Sequence, residues 1–328
     1  MYTSNSFDCL ALGRHGLRRN KIFQSILFPV NFSSASKAIA PYVRDLAKLT
    51  GGTVTLLHVV PRRSAWYGAA DLYFGTDSLE TLRELRKVHL PALAKFRDEY
   101  FEGVPCQTRI QCGSVAGQII EFAEQSGADL IMMGIPGVGK GDGSLMDSIV
   151  AEVLRDAPCA VWTNPHAGSL KPFTGFHSIV CALSPNRIRG EYVKETAALG
   201  SVFGSRLTFV SAIPPGSMDG EDSRVLTLEE QYPEARQDQL AGTGPVYVEA
   251  GPVGGVVRHV AEVQSADLVV INRGHKPDPI AGFETHAWEI VLESPCPVLS
   301  LPTKAASASV HIVHERHTRE VYAVAGAY

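Results

Sequence analysis

Short apolar runs alternate with longer amphipathic stretches along most of this chain. Residues 25–32, SILFPVNF, form a nearly continuous apolar run of strand length, and the serines at 33–36 offer N-cap chemistry for a helix reaching roughly Leu49. Gly51-Gly52 ends that helix, and TVTLLHVV is the next strand. From Ser78 to Tyr100, apolar residues recur near helical spacing at Leu82, Leu85, Val88, Leu93 and Phe96, which predicts a long helix that Pro91 kinks or splits. A strand around Gln107 to Gln111, a helix from Val115 to Gln125, the strand ADLIMMG, a helix from about Ser148 to Arg155 and a last strand CAVWT follow. Strands that are apolar throughout and alternate with helices indicate a parallel sheet covered on both faces.

The pattern then repeats. GSVAGQIIEFAEQSGADLIMMG, from Gly113, returns as GPVGGVVRHVAEVQSADLVVINRG, from Gly251, at an offset of about 138 residues, and each copy runs on to a PC-x-V ending at Cys159 and Cys296. Such order at a fixed offset marks a duplicated unit. The second copy reads HSIVCAL, a helix from Arg189 to Phe203, RLTFVSAI, VYVEAG, a helix from Val253 to Gln264, DLVVI, a shortened loop and CPVLSL. Its stretch from Pro214 to Thr243 is more polar than its counterpart, so a shorter or looser helix is expected there. The fold class is therefore α/β, as two tandem doubly wound parallel-sheet domains. Residues 1–21 read as a flexible leader, 22–164 as the first domain, 165–176 as a linker, 177–302 as the second domain and 303–328 as a tail.

Composition narrows the partners. The chain is 45% hydrophobic and 20% charged over 328 residues, enough for two cores, and its net charge of −4 gives no general attraction to nucleic acid or to an anionic membrane. The longest apolar runs fall far below the roughly 20 residues that span a bilayer, and the first residues lack a secretory pattern, so the expected location is cytoplasmic. The six cysteines form no CxxC; Cys159 and Cys296 start matching strands, as small buried hydrophobes do, and Cys106 and Cys112 have no histidine beside them to complete a metal site. His311, His314 and His317 are spaced to line one side of a helix, but a solvated tail is the simpler reading. The aromatic stretch Trp66 to Phe74 reads as packing under a loop, with a groove for a small apolar ligand as the alternative.

The two copies differ where chemistry is expected. The first apolar run ends in Gly134-Ile135-Pro136-Gly137, followed after a loop by Asp147-Ser148; the second ends in Asn272-Arg273-Gly274-His275, followed by Glu284-Thr285. Glycines after a buried strand let backbone amides approach a phosphate, because no Cβ intervenes. The same glycines also serve a tight turn with no ligand.

In its order of ILFPVNFS, LLHVV, ADLIMMG-x2-G and DS-x-VAEVL-x2-APC-x-V, the chain resembles the universal stress protein family in its tandem form, over residues 22–164 and 177–302. The resemblance implies an adenine nucleotide alpha hydrolase-like fold, two domains about a pseudo-twofold axis, and a role in stress response. Many members of that family bind ATP, with Mg²⁺, through Gly-x2-Gly-x9-Gly-Ser/Thr. Here the pattern falls on Gly134, Gly137, Asp147 and Ser148. The resemblance also implies that Asn31, where an aspartate is usual, and Val59 meet the nucleoside, and that Met133 and Ile149 flank the glycine and serine contacts. Asn31 forgoes the charge-assisted bond of a carboxylate, a loss on the order of 1 kcal/mol; it also suits an Asx cap of the following helix. Asp147 repels a phosphate unless Mg²⁺ lies between them. A shifted reading puts Gly143-Ser144 at the end of the pattern, with Lys140 nearby. In the second domain Ser184, His275 and Glu284-Thr285 replace the corresponding residues, so that site is degenerate.

Three functions compete. The first is a regulator that binds ATP weakly in the first domain. The second is an interaction module without nucleotide, in which CAVWT and CPVLSL pair domain to domain, and chain to chain in a homodimer. The third is an enzyme, but no HIGH-like histidine pair or SGG-x-DS loop occurs, which leaves at most a weak ATPase.

Overall fold

The computed structural model describes residues 22–61, 79–135, 143–164, 173–185, 190–217, 223–232, 243–273 and 283–302. The leader, the Trp66 to Phe74 stretch, the loop holding Gly137 and Lys140, His275 and the tail histidines lie outside them. The first half runs β1 (Ser25–Pro29), α1 (Ser34–Thr50), β2 (Thr53–Pro61), α2 (Leu79–Tyr100), β3 (Cys106–Gly113), α3 (Val115–Ser126), β4 (Leu130–Gly134), α4 (Gly143–Asp156) and β5 (Ala160–Asn164). The second runs β6 (Ser178–Leu183), α5 (Gly190–Phe203), β7 (Arg206–Ile213), β8 (Ser223–Leu226), α6 (Leu228–Gln231), β9 (Val246–Ala250), α7 (Val253–Val263), β10 (Leu268–Arg273), α8 (Phe283–Glu293) and β11 (Val298–Pro302).

Among the described residues the strands join into one eleven-stranded sheet in the order β3-β2-β1-β4-β5-β11-β10-β6-β7-β9-β8. Each half is parallel within itself, and the second half repeats the first in mirror order, with β8 added antiparallel to β9. The halves meet where β5 and β11 pair antiparallel: Val298 with Thr163, Leu299 with Trp162, Ser300 with Val161. Counted from Cys159 and Cys296, Val161 corresponds to Val298, Trp162 to Leu299 and Thr163 to Ser300. The register is thus self-complementary about the Trp162–Leu299 pair, as a twofold relation requires.

Both faces are covered. One core packs the sheet against α1, α2 and α5 through residues such as Ile39, Leu46, Leu93, Phe96 and Val193. The other packs it against α3, α4, α7 and α8 through Ile119, Val150, Val153, Val257 and Ile290. A ladder of rings crosses the seam: Tyr42 stacks on Trp162 at 4.9 Å and meets Phe173 at 4.5 Å, Phe173 meets Phe176 at 5.0 Å, and Phe176 meets Phe203 at 4.9 Å.

The repeated residues have structural causes. Asp129 and Asp267, the aspartates of the repeated Ala-Asp pair, accept backbone N–H groups from the strand next door: Gln24 at 2.7 Å and Ser25 at 3.1 Å in one copy, His177 at 2.8 Å in the other. Gly113 and Gly251 stand at φ +150° and +154°, a conformation that side-chain-bearing residues rarely adopt, where a strand turns into a helix. Ser33 caps α1 by accepting the Ser36 N–H, and Gly51 at φ 71° closes it. Cys159 and Cys296 are buried, with thiols that burial pushes up to about 12, in keeping with inert hydrophobes.

Three expectations change. Helix α2 is a single element through Pro91, which lies on its exposed side, where water can satisfy the carbonyl that a proline leaves without a helical partner. Helix α4 begins at Gly143 rather than near Ser148: Leu145 and Met146 extend backwards the helical spacing of Ile149, Val150, Val153 and Leu154. In the second half, helix α8 occupies the place of the expected shortened loop, whereas the polar stretch does hold the expected shorter helix, the four-residue α6 with a capping box between Thr227 and Glu230, beside an added strand, β8.

Because Trp162 is 1% exposed and packs at the seam in the core on the α1/α2/α5 face, Trp162→Ala is expected to cost about 3–5 kcal/mol. A guanidinium unfolding curve checks this; a loss under 1 kcal/mol would show that the seam is not a stability determinant.

Candidate functional site

In the order β3-β2-β1-β4-β5, the direction of chain winding reverses between β1 and β4. Open parallel sheets bind ligands at the carboxyl ends of the strands at such a point. Asn31 follows β1 there, Gly134 is the last residue of β4, and the helix after β4 starts at the same end of the sheet.

The β1–α1 corner is tied by its own side chains. Asn31 is exposed; its Oδ1 accepts the Ser33 N–H at 3.1 Å and the Ser36 hydroxyl at 2.7 Å. A backbone donor identifies the accepting atom as the oxygen, so the arrangement is an Asx-type cap. Phe32 is held at φ 59°, a left-handed conformation that costs a non-glycine residue energy and that its surroundings enforce: its ring lies 4.9 Å from His58 and 6.0 Å from Phe96. His58 Nδ1–H donates to the Val30 carbonyl at 2.7 Å, and its ring lies 5.0 Å from that of His89. Burial lowers the pKa of His58 below 6.5 despite that bond. The imidazole is thus a neutral cap of a strand-end carbonyl rather than a poised base.

Gly134 has a packing cause of its own. A Cβ there would stand 3.0 Å from the Ala35 carbonyl oxygen, in the first turn of α1. The glycine lets that helix approach the end of β4. The Ile135 N–H then donates to the Asn164 carbonyl at 3.1 Å, so pairing with β5 continues past the strand.

Val59, Met133 and Ile149 all lie on the α3/α4 face of the sheet, where Val59 and Met133 are buried and Ile149 half-buried. Asn31 stands at the same end of the sheet. Gly137 lies outside the described residues. Ser148 is exposed and sits inside α4, so its N–H bonds to the carbonyl four residues back; the N–H groups without such a partner belong to the turn that starts at Gly143. Among the described residues no group of three or more His, Cys, Asp or Glu could hold a metal. None of the described helices is long and apolar enough to cross a membrane. A shallow groove of about 300 Å³ between Asp45, Lys48, Leu49, Phe173 and Thr174 lies at the C-terminal end of α1, hence at the amino ends of the strands and away from the winding reversal at their carboxyl ends.

The second half has used the equivalent positions differently. Ser184 stands where the first half has Asn31, and its carbonyl accepts the hydroxyl of the buried Tyr232 at 2.6 Å, so a ring covers the strand end. Asn272 replaces Gly134. Arg273, in the place of Ile135, is 7% exposed and donates to the Leu154 and Cys159 carbonyls of the other half, each at 2.5 Å. Sequence reasoning missed this arginine; the signal was a cation at the end of LVVI, where the first copy is apolar. Glu289 accepts the Gly254 N–H at 3.1 Å and pairs with His286 at 2.9 Å, so the N-terminus of α7 is closed by the chain's own carboxylate.

Two outcomes follow. Gly134→Ala should lose about 1–3 kcal/mol of unfolding free energy without any ligand, by overpacking against α1; unchanged stability would remove the packing cause. The lowered pKa means that folded His58 binds fewer protons than unfolded His58, so its share of stability is full above pH 6.5 and is lost as pH falls through the depressed value. Thermal melts from pH 7.5 to 5 should fall less steeply for His58→Asn, which keeps a donor for Val30, than for the wild type.

A sequence profile of the Universal stress protein family matches residues 22–164. A universal stress protein of Synechocystis sp. is 31% identical over 144 residues, 44% of this chain and 87% of that protein. One from Methanocaldococcus jannaschii is 28% identical over 148 residues, 43% of this chain and 81% of that protein. The crystal structure of a universal stress protein from Archaeoglobus fulgidus covers 86% of this chain and 98% of its own at a TM-score of 0.61; at 18% identity this likeness concerns the fold, which it shares across both halves. The chain belongs to the universal stress protein family and carries that family's α/β unit twice in tandem.

Proposed function

We propose that this chain is a cytoplasmic stress-response regulator whose first half binds ATP with Mg²⁺ at the carboxyl ends of β1 and β4, while the second half serves as its packing partner. One observation carries the reading. At the winding reversal the first half keeps an exposed Asn31, a strand ending in glycine and a long helix beginning just beyond, whereas the second half covers the matching corner at Ser184 with Tyr232 and ends the matching strand in Asn272 and Arg273. In the proposed complex Asn31 and Val59 meet the nucleoside, and Met133, Gly134 and Gly137 run along the ribose and phosphates. Ser148 and Ile149 lie a turn into α4. The helix amides without an internal partner start at Gly143, so the first turn there contributes most to holding the phosphates.

A second reading has its own support. The Asn31 oxygen already accepts two donors within its own corner, which suits a scaffold that binds no nucleotide and acts through its surface.

Calorimetry with ATP and Mg²⁺ separates the two. Weak binding is expected, and Asn31→Asp should tighten it on the order of fivefold, about 1 kcal/mol, by restoring a charge-assisted acceptor. No heat at millimolar nucleotide, from wild type and variant alike, would sink the nucleotide reading and leave the scaffold.

A further inference from the structure

The matching end of the second half is not merely worn away. The two halves are antiparallel at the seam, so the carboxyl end of β10 stands beside the amino end of β5 and the C-terminus of α4. Arg273, the last residue of β10, fills that space. Its Nη1 donates to the Leu154 carbonyl in the last turn of α4, its Nη2 to the Cys159 carbonyl just before β5, each at 2.5 Å. One planar fork therefore bridges the end of a helix and the start of a strand that belong to the other half. The last carbonyls of a helix have no intrahelical donor and carry its negative dipole end, and the Asp156 carboxylate that closes α4 adds its attraction, so a cation is favoured at this place. In the first half the corresponding residue is Ile135, which packs in the core, so the clamp runs in one direction only.

Helix α4 is the element through which such a clamp reaches the candidate site. Its C-terminal turn is pinned by Arg273, and its first turn, at Gly143, opens at the carboxyl end of β4. A helix behaves as a rigid rod, so fixing one end limits sliding and rotation at the other.

We infer that Arg273 is a positioning residue for the nucleotide site of the first half: without touching the ligand, it holds α4 in the register that its phosphate-facing turn needs. The inference rests on the ATP reading given above. It assigns the second half a definite task, the alignment of a helix in its neighbour.

The test compares wild type, Arg273→Met and Arg273→Lys in the full chain, at a temperature where circular dichroism shows all three folded. Calorimetry with ATP and Mg²⁺ gives the affinity, and amide hydrogen exchange without ligand follows residues 143–149. Arg273→Met should raise Kd roughly three- to thirty-fold and speed exchange in the first turns of α4, with Arg273→Lys between it and wild type. A purely structural arginine would lower the melting temperature and leave Kd and the exchange of that turn unchanged; that result overturns the inference while the ATP reading stands. If Arg273→Met does not fold, Arg273→Lys decides by the same two readouts. Wild-type protein that takes up no nucleotide at millimolar concentration overturns the ATP reading and this inference with it.

Discussion

The antiparallel pairing of β5 with β11 is the constraint on which the rest of the structure depends. A parallel α/β unit leaves its last strand as an unpaired edge, and such an edge is a standing invitation to association. Here the chain covers one copy's edge with the other's, in a register that puts Trp162 opposite Leu299 and matches each neighbour with its own counterpart. Two half-sheets become one, and the two cores on its faces run continuously across the join. The ring ladder from Trp162 through Tyr42 and Phe173 to Phe203 thickens the join on one face. On the other, Arg273 ties α4 to β10.

The same join frees the copies to diverge. Each strand-end carbonyl at the winding reversal still needs a donor, but the halves meet that need differently: the imidazole of His58 serves Val30, and the hydroxyl of Tyr232 serves Ser184. Where Gly134 lets α1 come within contact of β4, the second half has Asn272. The first half thus keeps an accessible corner at Asn31, and the second covers the matching one with a buried tyrosine. The duplicated unit thus presents two frames whose strand ends are finished differently.

Much of this was legible in the sequence, for local reasons. Apolar strand runs, the serine cap at Ser33, the glycine stop at Gly51 and the repeated Gly113 and Gly251 report backbone requirements that act over a few residues. The pairing of CAVWT with CPVLSL was legible too, because two matching apolar strands ending in polar segments are natural edges. Other features depend on distant partners. Asp129 and Asp267 recur because each clamps the strand beside it, which spacing alone does not reveal. Helix α4 starts earlier than the sequence pattern suggests, because the glycine-rich stretch before Leu145 and Met146 resembles a loop while those two residues carry the helical period further back. Strand β8 has burial too slight to stand out from a polar stretch. Arg273 shows its meaning only when the other half is in view.

In the proposed function the halves are unequal: one open to an adenine nucleotide, the other built to hold it in place. Mapping backbone amide NMR shifts of the full chain during titration with ATP and Mg²⁺ tests that most directly. The account predicts saturable shifts confined to residues 30–36, 58–60 and 133–150, with the counterparts at 183–185 and 271–275 silent. Equal shifts in both halves, or none in either at millimolar nucleotide, would contradict it.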